Sequence, residues 1–277
     1  LNIPADLEAL AMSAQQLAWT AGALILGIYE SDYEIESKHD ETPVTTADLA
    51  AHDAIVEGLA ELTPNVPVLS EESAGIPFAT RSRWQHYWLV DPLDGTREFI
   101  KHTGEFTVNL ALVGNHRPLL GIIHAPVTGV TYFAWNNGGA YKFSDGVDEA
   151  HKIYTRPLED APVRVAGSRG YAVKSLQTFL RRLDNYEYVG VGAALKPCLI
   201  AEGSVDVYPR LGPTSEWDTA AAQCILEEAG GKFTDLHLQP LRYNTKPSLT
   251  NPPFIAFGDD RRNWIRYIPE QFLEPRP

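Results

Sequence analysis

Residues 88–96 read Trp88-Leu89-Val90-Asp91-Pro92-Leu93-Asp94-Gly95-Thr96. An apolar strand here delivers two carboxylates, three residues apart, into a Pro/Gly turn that ends on a hydroxyl. Two acids with a backbone carbonyl between them are hard oxygen donors suited to Mg²⁺, which takes water and phosphate oxygens to complete its octahedron. Gly95 lets the backbone approach a ligand closely, and exposed amides at such a turn can hold a phosphate oxygen. A plain acidic β-turn would need only Asp94-Gly95. It has no use for Asp91, Thr96 and an apolar lead-in together.

The flanking sequence predicts the scaffold. Leu7, Leu10, Ala11, Ala14, Leu17, Ala18, Ala21, Ile25 and Ile28 recur at three- and four-residue steps, the apolar face of a long helix. A second helix is expected after Thr45 or Thr46, with Leu49, Ile55, Val56 and Leu59 inward and Thr63-Pro64-Asn65 at its end. Strands are predicted at 87–90, 106–113, 119–124 and 130–134, with turns at 114–118 and 126–129, an antiparallel meander. Polar residues 145–161 read as an irregular boundary. A strand at 163–166 follows, then a helix over 171–183, and a helix of small residues entered at Trp217-Asp218 and ended by Gly230-Gly231. The fold class is a layered α/β (α+β) sandwich, with an N-terminal lobe over 1–155 and a C-terminal lobe over 156–277.

Composition bounds the function. The 277 residues are 44% hydrophobic and 21% charged, enough for a sizeable core. A net charge of −13 argues against a nucleic-acid polymer as partner, although a small anion can bind locally where a metal ion inverts the field. No apolar run of the roughly 18–20 residues that cross a bilayer is read, so no transmembrane segment is expected. The first residues carry no basic and apolar leader, so no signal peptide is expected either. Cys198 and Cys224 read as buried thiols in a reducing compartment. The expected setting is the cytoplasm, with room for peripheral contact at the inner membrane, and the expected state is a monomer or homodimer.

Three further acids are ambiguous singly. Glu71-Glu72 has the look of a solvated surface pair. Asp218 could be a helix N-cap and Asp48 a first-turn helix acid. Together with 88–96, however, the motifs Leu69-Ser70-Glu71-Glu72, Asp91-Pro92-Leu93-Asp94-Gly95-Thr96 and Trp217-Asp218-Thr219-Ala220-Ala221 with Glu228-Ala229-Gly230-Gly231 give a chain that resembles the lithium-sensitive, Mg²⁺-dependent phosphatases of the inositol monophosphatase and fructose-1,6-bisphosphatase superfamily. The resemblance runs from Leu7 to about Phe257. Pro43–Asp48, Asp94–Phe99, Gly104–Asn109 and Val207–Pro213 look most like the bacterial 3′(2′),5′-bisphosphate nucleotidases, which convert adenosine 3′,5′-bisphosphate to AMP and phosphate.

The resemblance implies an αβαβα sugar-phosphatase-like fold and two to three Mg²⁺ ions. Glu71, Asp91 and the Leu93 carbonyl would hold one ion; Asp91, Asp94 and Asp218 would hold a second, with a weaker third nearby. Asp48 and Thr96, with Glu71, would serve the attacking water. The implied substrate is a small phosphate ester, adenosine 3′,5′-bisphosphate, contacted by Asp94, Gly95, Thr96, Ser168, Gly192, Lys196, Arg210 and Asp218. Arg210 suits a second phosphate, where the matching position of inositol monophosphatases resembles an acid. Lys196 adds charge, although both cations could instead lie over apolar surface. Ala193-Ala194 departs from the Ser-Ser common in the nucleotidases, and Ser168-Arg169-Gly170-Tyr171 from their Ser-Arg-Ser-His-like loop, where a tyrosine could still stack on adenine. An inositol-phosphatase-type enzyme acting on a polyol phosphate and a non-catalytic metal- or nucleotide-binding homologue therefore remain as alternatives. The second is opposed by the presence of every acid. Scattered histidines and the absence of Cys-x-x-Cys argue against zinc, and no P-loop is present.

Overall fold

Helix α1 (Leu7–Tyr29) starts where Asp6 caps it, its carboxylate accepting the Ala9 N–H at 3.0 Å. Its buried face, Leu10, Ala11, Ala14, Ala18, Ala21 and Ile25, is the stripe that the sequence periodicity predicts. The computed structural model describes residues 6–31, 35–37, 43–159, 161–169 and 174–273. By length and composition alone the 23 residues of α1 would suffice to cross a membrane, which the sequence reading did not expect, but its apolar face lies on a sheet. Strands β1 (Ile35–Ser37) and β2 (Pro43–Thr45) pair antiparallel and lead into α2 (Thr46–Leu62). The inward stripe of α2 is Ala47, Ala51, Ile55 and Leu59. Leu49, expected inward, is 47% exposed, because two residues from Ala47 is about 200° round the helix.

Seven strands form the first sheet in chain order: β3 (Val68–Ser70), β4 (His86–Asp94), β5 (Thr107–Gly114), β6 (Arg117–Ala125), β7 (Val130–Trp135), β8 (Gly139–Phe143) and β9 (His151–Ile153). Only β3 and β4 run parallel; the rest is the expected meander. The short helices α3 (Phe78–Arg81) and α4 (Thr96–Ile100) flank β4. Residues 151–153, read as irregular, pair with β8 as an edge strand too short and polar to show alternation. Along the strands, Trp88, Val90, Leu110, Leu112 and Ile122 face α1 and α2, while Tyr87, Leu89, Ala111, Val113 and Ile123 face the other way, the period-two alternation of a sheet buried on both sides.

The second sheet is built from β10 (Val163–Gly167), β11 (Tyr186–Gly190), β12 (Val207–Arg210), β13 (Lys232–Asp235) and β14 (Phe254–Phe257), in the order β11-β10-β12-β14-β13. Helix α5 (Lys174–Arg181), which ends two residues before the predicted 183 and whose predicted start at 171–173 lies outside the described residues, packs on its outer face with the turn Trp264–Tyr267 through Phe179, Val165 and Ile255. Between the sheets lie α6 (Leu195–Ala201) and α7 (Ala220–Glu228). Helices, sheet, helices, sheet and helix therefore stack in five layers, as a layered α/β sandwich requires.

The middle layer is tight. A Cβ on Gly121 of β6 would lie 2.4 Å from the Ala221 carbonyl oxygen of α7. Gly121→Ala should therefore cost about 2–3 kcal/mol in urea unfolding, as overpacking against backbone does; an unchanged midpoint would show that α7 can move away.

On the other face, the Thr131 hydroxyl accepts the Trp19 indole N–H at 2.8 Å and lies 3.0 Å from His124 Nδ1. Burial pushes the His124 pKa down to about 4, against the upward pull of Asp145. Between pH 6.5 and 4 the unfolded chain binds a proton there that the folded chain refuses, so the His124 contribution to stability falls as the pH falls through that window. That contribution should reach about 3 kcal/mol and appear as the difference between the wild-type and His124→Leu profiles. Parallel profiles for the two proteins would mean that the ring is protonated in the folded state.

Candidate active site

Strand β4 does not turn at Pro92 as expected. It continues to Asp94, with a register shift between Asp91 and Asp94 that lets both carboxylates leave the same strand end. The turn comes one residue later, at Gly95 with φ +96°, a conformation only glycine adopts without strain. Asp91 Oδ1 accepts the Leu93 N–H at 3.1 Å, and Asp94 Oδ2 accepts from Asn109 Nδ2 at 3.4 Å. Because β3 pairs parallel to β4 with Ser70 opposite Val90, Glu71 emerges level with Asp91.

The other acids arrive on helix starts. Asp48 is the third residue of α2, and its Oδ2 accepts both the Thr45 N–H and the Thr45 hydroxyl at 2.7 Å. Its Oδ1 receives the Thr96 hydroxyl at 3.2 Å, which also lies 3.4 Å from the Leu93 carbonyl. Asp218 is not an N-cap, the alternative that its position at a helix start left open. Ser215 is the cap, and Asp218 reaches back to accept the Ser215 N–H at 2.9 Å from the third position of a capping box. A one-turn 3₁₀ helix, Glu216–Asp218, precedes α7, so the acid sits at the junction.

Electrostatically these groups form one cluster. The pKa of Asp91 is raised, first by burial and then by Glu71, Asp94, Asp218 and Asp48. Asp94 is raised by burial, opposed by Lys196 and by the Asn109 hydrogen bond. Asp218 is raised by burial and by Asp94, opposed by the Ser215 N–H and by Arg210. Buried carboxylates that repel one another, with hard oxygens and no cysteine or histidine among them, are a donor set that fits a divalent cation. Among the described residues, no three His, Cys, Asp or Glu side chains are already drawn into a cage around one point.

The cations come from α6, between the sheets, and from β12 of the second sheet. Lys196 is 5% exposed, its Nζ donating to the Ala193 carbonyl at 2.7 Å, and burial lowers its pKa while Asp94 raises it. It is a buried group, not one lying over the surface. Half-buried Arg210 donates through Nη2 to the Pro213 carbonyl at 2.9 Å, while its buried Nε has no partner among the described residues. The Gly192 N–H donates to Glu105 Oε2 at 3.0 Å. Ser168 is tied through its carbonyl to the Tyr188 hydroxyl at 2.8 Å, and no described bond joins it to the acids. Tyr171 lies outside the described residues. Asn109 and Glu105 were not singled out as site residues from sequence; both stand in the quoted segment Gly104–Asn109, whose six residues carry no recognisable ligand spacing of their own.

With this geometry in view, the comparison with known proteins is direct. The inositol monophosphatase family matches residues 6–256. The chain belongs to the inositol monophosphatase family. Within it, the chain is 45% identical over 241 residues to the 3′(2′),5′-bisphosphate nucleotidase CysQ of Escherichia coli strain K12, covering 86% of this chain and 96% of that one. The CysQ of Aggregatibacter actinomycetemcomitans is 43% identical over 242 residues, 87% of this chain and 89% of the relative. The crystal structure of CysQ from Bacteroides thetaiotaomicron, a bacterial member of the inositol monophosphatase family, superposes with a TM-score of 0.80 at 40% identity, covering 92% of this chain and all of that one (100%). The layered fold is thus the family's fold.

A cluster held together against its own repulsion should be more stable with one charge removed. Asp91→Asn should stabilise the metal-free protein by about 1–2 kcal/mol, the scale usual for relieving a strained functional site, and abolish any rise in melting temperature on adding Mg²⁺. Thermal denaturation in chelator and in Mg²⁺ checks both. A less stable metal-free variant would show that the acids support rather than oppose one another.

Proposed function

We propose that this family member is a Mg²⁺-dependent 3′(2′),5′-bisphosphate nucleotidase that removes the 3′-phosphate of adenosine 3′,5′-bisphosphate to give AMP and phosphate. The observation that carries this reading is the pairing of the acid cluster with two cations, buried Lys196 of α6 and half-buried Arg210 of β12. A monophosphate ester needs only the acids and their ions. A second phosphate on the same substrate needs fixed positive charge nearby, and a guanidinium with an unpartnered buried Nε supplies it with directed N–H groups. The high identity to the CysQ nucleotidases over most of the chain supports the same substrate.

In this reading Glu71, Asp91, the Leu93 carbonyl, Asp94 and Asp218 would hold two to three Mg²⁺ ions. Bound Mg²⁺ supplies positive charge that lowers the pKa of water and offsets charge on attacking and leaving oxygens. The protein's part is proton handling and orientation. Because Thr96 Oγ1 donates to Asp48 Oδ1, its lone pairs are free to accept a proton from the attacking water while its own proton passes toward Asp48. The two bonds from Thr45 hold Asp48 fixed through that exchange. No covalent phosphoenzyme is required. The proposed lobe 1–155 supplies all of these groups except Asp218, and 156–277 adds Asp218 and the cations. The two free, buried thiols accord with a cytoplasmic setting.

The inositol-phosphatase reading retains one observation in its favour: Ala193-Ala194 offers no side-chain hydroxyl beside Lys196. Phosphate release from adenosine 3′,5′-bisphosphate and from inositol 1-phosphate, at matched concentrations with Mg²⁺, separates the two. A large preference for the nucleotide is expected. Arg210→Ala should then raise KM for the bisphosphate by a factor corresponding to about 1.5–3 kcal/mol, roughly 10- to 150-fold. Preference for inositol 1-phosphate, or an unchanged KM, would turn the assignment toward polyol phosphates.

A further inference from the structure

Glu105 lies on the connector between α4 and β5, where the two sheets meet, and it is not one of the five clustered acids. Each of its carboxylate oxygens is engaged by a different loop of the second sheet. Oε1 receives Arg169 Nη2 at 2.7 Å, and Oε2 receives the Gly192 N–H at 3.0 Å. Arg169 follows β10 and Gly192 follows β11, and Arg169 Nε also donates to the Gly190 carbonyl at 3.1 Å. One carboxylate therefore gathers the C-terminal ends of two neighbouring parallel strands.

The backbone there is packed as closely. A Cβ on Gly192 would lie 2.7 Å from the Glu105 carbonyl oxygen, and a Cβ on Gly95 would lie 3.1 Å from the same atom. Glu105 is thus wedged between the Asp94-Gly95-Thr96 turn of the first sheet and the loop at Gly192–Ala194 that leads into Lys196 at the start of α6. That second loop bends sharply at Ala193, φ +47°, whose carbonyl holds Lys196 Nζ. A carboxylate beside an anion pocket weakens binding by repulsion unless its charge is occupied. Here both oxygens are occupied, and the side chain is only 17% exposed while its Arg169 partner is 68% exposed.

The geometry points to Glu105 as a positioning residue: it locks the Gly192–Lys196 loop against the turn carrying Asp94, and so sets how tightly the substrate's second phosphate is held. This rests on the bisphosphate reading. The reacting groups do not depend on Glu105, because Asp48, Asp91 and Asp218 are each fixed by bonds within their own segments. Its removal should therefore appear in KM and leave kcat and the response to Mg²⁺ in place.

The test is steady-state kinetics of Glu105→Ala and Glu105→Gln with adenosine 3′,5′-bisphosphate and with inositol 1-phosphate, together with melting temperatures and Mg²⁺ activation curves. Glutamine keeps the size but has one acceptor oxygen and a donor amide, so it can satisfy only one of the two partners. Glu105→Ala should raise KM for the bisphosphate about 10- to 100-fold, the range for losing an orienting partner, with Glu105→Gln in between. In both variants kcat and the Mg²⁺ concentration for half activation should stay near wild type, and KM for inositol 1-phosphate should move far less. An unchanged bisphosphate KM overturns the inference. So does a parallel fall in kcat, Mg²⁺ response and melting temperature, which would make Glu105 a general structural contact. A wild-type preference for inositol 1-phosphate is the separate failure of the substrate reading; the KM-against-kcat split measured with that substrate would then decide whether Glu105 positions the loop.

Discussion

The structure depends on holding Asp48, Glu71, Asp91, Asp94 and Asp218 near one another at the end of a buried strand, where burial and mutual repulsion raise the pKa of the central three. Left to itself such a cluster would splay. Hydrogen bonds from nearby donors restrain them: Thr45 for Asp48, Leu93 for Asp91, Asn109 for Asp94 and Ser215 for Asp218. Three of those donors are backbone amides within three residues of the acid. The restraint is therefore local and cheap, and the opposing repulsion is carried by the layers around it. Trp88 and Val90 anchor one face of β4, and Tyr87 and Leu89 the other. A strand fixed on both faces can present unfavourable charge at its end without moving.

That division explains what could be read from the sequence. The strands of the meander and the face of α1 follow from periodicity, because each residue's environment repeats at the period of its own element. Asp91, Asp94 and Thr96 were legible for a related reason: the ligand spacing lies within one short segment. Leu49 was misplaced because a single apolar residue cannot report which side of a helix is covered. Residues 151–153 were missed because an edge strand of three residues carries no pattern. The sequence left open that Asp218 is a cap because Ser215, three residues earlier, competes for that role and only geometry decides between them.

The long-range contacts were illegible for a different reason. Glu105 joins residues 64 and 87 positions away, as its bonds to Arg169 and Gly192 show, and no local pattern encodes such a partner. Gly121 is similar. Its missing side chain matters only because Ala221, from the helix layer between the sheets, presses its carbonyl against that spot. The one visible sign of either was a glycine or an acid where a strand or turn alone would explain it.

The two sheets also contribute different chemistry. Apart from Asp218, the acids and the Thr96 hydroxyl come from the first sheet and the helix starts around it, while Lys196 comes from α6 in the middle layer and Arg210 from the second sheet. In the proposed reading, charge for bond breaking would be fixed by local hydrogen bonds around the first sheet, and charge that selects the rest of the substrate would be carried on α6 and the second sheet. Loops of the second sheet can change length or sequence without disturbing the capping contacts that restrain the acids. In such an arrangement the contacts that join the sheets near the pocket decide the register between chemistry and selection. The close approach of the Glu105 carbonyl to both Gly95 and Gly192 is where that register is set, since neither loop can shift toward the other without meeting that oxygen.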